Sequence, residues 1–122
     1  MGRTKFKRGN AKFVQVHHWL MDTQAWLDLK PSAVVVYLSL KRQFDGTNNG
    51  QIAASQRVLA MRTGLSRDTV QRALQELEAA GFLVVTQRGF LGVEGAGKAT
   101  MYRLTELATA DGKPATKDFL KK

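Results

Sequence analysis

SQRVLAMRTGLSRDTVQRALQELEAAGFLVVTQ, residues 55–87, decides the fold. Ser55 is a good N-cap for a helix that Thr63-Gly64 ends, because glycine takes the left-handed backbone that closes a helix at no steric cost. Ser66 caps a second helix, with Asp68 in its first turn where the dipole favours an anion. Val70, Ala73, Leu74 and Leu77 then recur at helical spacing and form an inner stripe. Gly81 stops that helix. Phe82–Gln87 is rich in branched and aromatic residues and reads as a strand. The order is helix, tight turn, helix, strand.

Upstream, Pro31 suits the first turn of a helix, where its missing N–H costs nothing. Ala33, Val36, Tyr37, Leu40 and Phe44 continue at helical spacing, so 31–44 is a helix although Val34-Val35-Val36 favours strand. Asp45-Gly46-Thr47-Asn48-Asn49-Gly50 is dense turn chemistry, and Gln51-Ile52 adds a brief strand. Trp19–Leu29 reads as one or two short helical pieces, with Asp22 or Thr23 as a cap. The alternation in Phe13–Val16 predicts a short strand. Downstream, Thr100–Thr105 alternates and pairs with 82–87. Residues 88–99, with Gly89, Gly92, Gly95 and Gly97, are the hairpin loop between them.

The chain has 122 residues and a net charge of +9. Arg3, Lys5, Lys7, Arg8 and Lys12, with no acid, put +5 on residues 1–12. This segment lacks periodicity and is expected to be a disordered basic arm. Residues 13–107 hold the domain, and 108–122 are expected to be a polar, flexible tail. Arg57, Arg62, Arg67 and Arg72 against Asp68 give +3 within 57–72. A basic arm beside a basic helix pair is an electrostatic footprint for phosphate. There are no cysteines, which excludes disulfides and thiolate zinc sites and fits a reducing cytosol. No apolar run approaches the roughly 18 residues of a membrane span.

Helix, strand, helix, helix, strand, strand is the order of a winged helix. The run TGLSRDTVQRALQELEAAGFLVV resembles the winged helix-turn-helix of bacterial DNA-binding regulators. The wider span Val14–Leu107, with its WL…W…L-x-P-S-A start, is similar to stand-alone helix-turn-helix proteins of bacterial chromosomes, plasmids and phages, some similar to replication initiators. The fold implied is α+β: three core helices, a β-hairpin wing and a short N-terminal extension. Contact roles for Arg67, Thr69 and Arg72 are implied by the same resemblance.

Helical geometry independently turns Arg67, Asp68, Gln71, Arg72 and Gln75 outward when Val70, Leu74 and Leu77 face the core. Arginine pairs bidentately with guanine and glutamine with adenine, so Arg67, Gln71, Arg72 and Gln75 are the expected base readers. Ser66 and Thr69 lie at the helix start, where hydroxyls and free N–H groups suit a phosphate. Arg57, Arg62, Arg88, Lys98 and the arm are expected to touch the DNA backbone. The expected function is a double-stranded DNA-binding regulator of transcription or of a mobile element. The alternatives are a plasmid or phage replication or DNA-processing factor, and a winged helix used for protein association. Homodimerisation stays open, no cofactor or small-molecule ligand is expected, and the location expected is cytoplasmic, at the nucleoid.

Other patterns fall short of chemistry. Gly92 to Lys98 nearly spells a phosphate-binding P-loop, but Ala99 stands where magnesium needs a hydroxyl, and a strand follows instead of a helix. Asp45, Thr47, Asn49, Gly50 and Gln56 nearly spell a calcium loop, with too little carboxylate. His17 and His18 lack ligand spacing. Gly64-Leu65-Ser66 lacks the second glycine of a nucleophile elbow. Trp19 and Trp26 read as core residues. No acid–base pair stands at useful spacing, so no enzyme is expected.

Overall fold

Pro31 opens the helix on which the rest of the molecule packs. The computed structural model of the chain describes residues 11–90 and 97–121. Helix α1 is His18–Met21, α2 is Gln24–Leu27 and α3 is Pro31–Arg42. Thr23 is the cap between the first two, its hydroxyl accepting from Trp26 N at 3.2 Å. In α3 the buried face is Ala33, Val36, Tyr37 and Leu40, so the apolar period outweighs the valine run. Val35 lies on the outer side, half exposed.

The turn after α3 is tied by its own side chains. Asp45 Oδ1 accepts from Thr47 N at 2.8 Å and from its hydroxyl at 2.7 Å. Those bonds, the hydroxyl's first, hold the Asp45 carboxyl below the usual carboxylate range. Asn49 is buried. Its amide donates to the carbonyls of Leu104, Leu107 and Ala108 at 3.0 to 3.1 Å, and its own oxygen accepts from Leu104 N at 2.7 Å. The near-calcium pattern is therefore a turn locked onto the end of the sheet.

Strand β1 is Ile52–Ala53, β2 is Leu83–Gln87 and β3 is Met101–Leu104, in an antiparallel sheet of order β1-β3-β2. Ile52 pairs with Tyr102, and Leu83 with Leu104. A bulge falls between Val85 and Gln87. Helices α4, Gln56–Thr63, and α5, Arg67–Ala79, fill the gap between β1 and β2 in the chain. The architecture is α+β and has the order and wing of a winged helix-turn-helix.

Phe82 centres an aromatic cluster. Trp26 and Tyr37 meet it edge-on at 5.9 and 5.7 Å between ring centroids, and Phe119 stacks on it at 4.8 Å. Trp19 stacks on the outer side of Phe119 at 6.0 Å, so one tryptophan lies within the cluster and the other at its rim. Beside the cluster, Lys41 Nζ lies 2.7 Å from Glu106 Oε1, which also accepts from the Tyr37 hydroxyl; both charged side chains are buried.

Two expectations are corrected here. Phe13–Val16 forms no strand, and Phe13 is 82% exposed: alternation supplies a face but not the ladder partner a strand needs. The segment expected to trail away as a polar tail instead carries Phe119, 2% exposed, into the core. Gly81 makes room for it. At φ +88° its missing Cβ would lie 2.7 Å from both Asp118 C and Phe119 N.

Candidate nucleic-acid interface

The junction between α4 and α5 is built by local chemistry. Ser55 accepts from Val58 N at 3.1 Å and starts α4. Gly64, at φ +77°, ends it. Thr63 donates its hydroxyl to Leu59 O at 2.7 Å and accepts from Leu65 N at 3.2 Å, so one side chain spans the turn. Ser66 then accepts from Thr69 N at 3.1 Å and donates to the Thr69 hydroxyl at 2.9 Å. These two hydroxyls, expected at phosphate, already bond each other and fix the start of α5.

Helix α5 buries Val70, Ala73, Leu74 and Leu77 against the core. Arg67, Asp68, Gln71, Arg72 and Gln75 are exposed, as the helical spacing predicts. They divide between two flanks. Arg67 opens onto a groove between the helix pair and the hairpin, lined also by Gln56, Arg57, Gly89, Phe90 and Lys98. That groove gathers three cations and no carboxylate among its lining residues. Gln71 and Gln75 line an adjoining cleft closed by Arg88, Glu78 and Tyr102. Arg72 lies away from both, bonded through its guanidinium to Asp68 at 2.8 Å one turn earlier.

The remaining sequence-based choices scatter more widely. Arg62 is exposed in the last turn of α4, outside the groove. Arg88 is exposed but turned toward Glu78, 3.6 Å away, which also lines the cleft. Lys12 is exposed, while Arg3, Lys5, Lys7 and Arg8 lie outside the described residues, as does most of the near-P-loop. The sequence reading missed Phe90. It shares the groove with Arg57, Arg67 and Lys98, but in the sequence it is one residue of a glycine-rich loop with nothing to aim it.

Two capped helices at a glycine turn, the second with a free polar flank beside a hairpin, is the arrangement that seats a helix in a DNA groove. Residues 27–83 match the family model described as a helix-turn-helix domain. The matched stretch runs from the last residue of α2 to the first of β2, so the hairpin and its groove-lining Phe90 and Lys98 lie beyond the match. No curated protein and no solved structure matches the chain. The described residues hold no cluster of three or more His, Asp or Glu able to share a metal ion. Nor is any described helix long and apolar enough to cross a membrane.

Proposed function

We propose that the chain binds double-stranded DNA sequence-selectively, with α5 in the major groove and the hairpin against the neighbouring backbone. The observation that carries this reading is the groove holding Arg57, Arg67 and Lys98 with no acid among its lining side chains. Cations so placed displace the counterions condensed on a phosphate backbone, which gives affinity. The exposed Gln71, Gln75, Arg67 and Arg72 then have the hydrogen-bond patterns that tell base pairs apart. Ser66 and Thr69, whose hydroxyls bond each other and hold the first turn in place, would meet a phosphate at the helix start together with the N–H groups of Arg67 and Asp68. Arg62, and Arg88 once released from Glu78, would extend the backbone contacts, and so would Lys12 with the rest of the basic arm. The role served is regulation of transcription or of a mobile element; replication initiation would use the same contacts.

Selection from a pool of randomised duplexes tests this directly. The expected result is an enriched site bound with an affinity that falls steeply with salt. Arg67→Ala should lose about 1–3 kcal/mol on that site and relax its base preference, whereas Arg57→Ala and Lys98→Ala should weaken all duplexes alike and lower the salt slope by about one each. A pool that never enriches, with binding indifferent to salt, would favour the protein-association alternative.

A further inference from the structure

The basic groove contains one side chain that phosphate contact does not explain. Phe90 is 56% exposed, while Phe82 and Phe119 are buried. Its backbone is not loose. Phe90 N donates to Lys98 O at 2.9 Å, and Lys98 N donates back to Phe90 O at 3.0 Å. The residue before it is equally constrained: Gly89 N donates to the Thr100 hydroxyl at 3.0 Å. A Cβ on Gly89 would lie 2.7 Å from Thr100 N and 2.9 Å from Lys98 O, so the hairpin is pressed together too closely there for any side chain. The base of the hairpin thus fixes the point from which the ring projects.

That point lies in the same groove as Arg57, Arg67 and Lys98. Cations attract phosphate; a phenyl ring gains nothing from phosphate and is suited instead to the apolar faces of bases. Side chains of this kind, inserted from the minor groove, partly unstack a base step and kink the duplex. With α5 in the major groove, the hairpin beside it meets the adjacent minor groove. The geometry points to Phe90 as an apolar wedge that enters the minor groove at a base step and kinks the DNA held by α5. This rests on the DNA-binding reading above and adds a mode of recognition to it. Pyrimidine–purine steps open most cheaply, so the wedge selects sequence at a position where the protein makes no hydrogen bond to a base.

The test uses the duplex recovered by selection, about 30 base pairs long, with donor and acceptor dyes at its ends and 2-aminopurine beside its most flexible step. The wild-type chain should shorten the end-to-end distance by a bend of at least about 20° and raise the 2-aminopurine fluorescence. Phe90→Ala should bind within about tenfold of wild type while losing both signals. Phe90→Leu should keep part of the bend. Circular dichroism of each variant checks the fold, which an exposed ring should not support. Equal bending by Phe90→Ala, or wild-type binding without a bend, overturns the wedge and leaves DNA binding intact. Tighter binding to the single strand than to the duplex overturns it in favour of stacking on unpaired bases. No binding by the wild-type chain, with Arg67→Ala indistinguishable from it, overturns the DNA-binding reading and the wedge together.

Discussion

Asp68 and Arg72 form an exposed pair whose proposed weight lies in recognition and not in stability. Both side chains are largely exposed, so their 2.8 Å contact contributes no more than about 1 kcal/mol to folding. On a DNA-facing helix the same carboxylate repels phosphate and holds the guanidinium in one orientation. Asp68→Ala is therefore expected to raise affinity for random-sequence duplex several-fold while narrowing the preference for the selected site. Competition anisotropy with both duplexes measures this; equal shifts on the two would leave the pair without an orienting role. Tyr37 carries a different kind of information. Burial first, then the adjacent Glu106 charge and the hydrogen bond to it, push its hydroxyl well above the usual 10.0. The folded chain thus keeps a proton that the unfolded chain loses near pH 10, so stability is intact below that pH and declines above it. Melting temperatures through the alkaline range should fall beyond about pH 10, and Tyr37→Phe should flatten that fall.

Elements begin and end here where short-range chemistry says they must, which is why so much of the fold was legible. Pro31, Ser55, Gly64, Ser66 and Gly81 act within a few residues of themselves, and each marks a boundary to within a residue or two. Ser66→Ala should cost about 1 kcal/mol, the usual loss of a cap. Gly81→Ala should cost more, at least about 2 kcal/mol, because φ +88° disfavours any side chain and the added carbon would meet Asp118 and Phe119 backbone at 2.7 Å. Urea denaturation of the two variants side by side checks the ranking. What the sequence hid depends on distant partners. The alternation of Phe13–Val16 says nothing about whether a sheet edge lies within reach, and none takes it up. The aim of Phe90 is set by Lys98 and Thr100 across the hairpin, not by its neighbours in sequence. Among the candidate readers, the outward set on α5 followed from helical period alone, but its division into a hairpin-side flank and an Asp68-paired flank did not.

Across the whole molecule, the last described residues and the middle of the chain form one core. Lys41 and Glu106 are 65 positions apart yet buried together, and no local pattern could have paired them. Phe119 stood among lysines and aspartates, with no period to mark it as interior, because its partners Phe82 and Trp19 come from elements far away in sequence. Phe119→Ala should cost about 3–5 kcal/mol, as for other buried phenylalanines, and thermal or urea unfolding would show it. A loss near zero would restore the reading of 108–122 as a loose tail. The stacking of Phe119 on Phe82 also has a consequence during synthesis. Phe82 follows the end of α5, and its outer face stays bare until residue 119 has left the ribosome. The core that seats α5 is therefore complete only once residue 119 is available, and a nascent chain stalled before that point would leave one aromatic face of Phe82 uncovered.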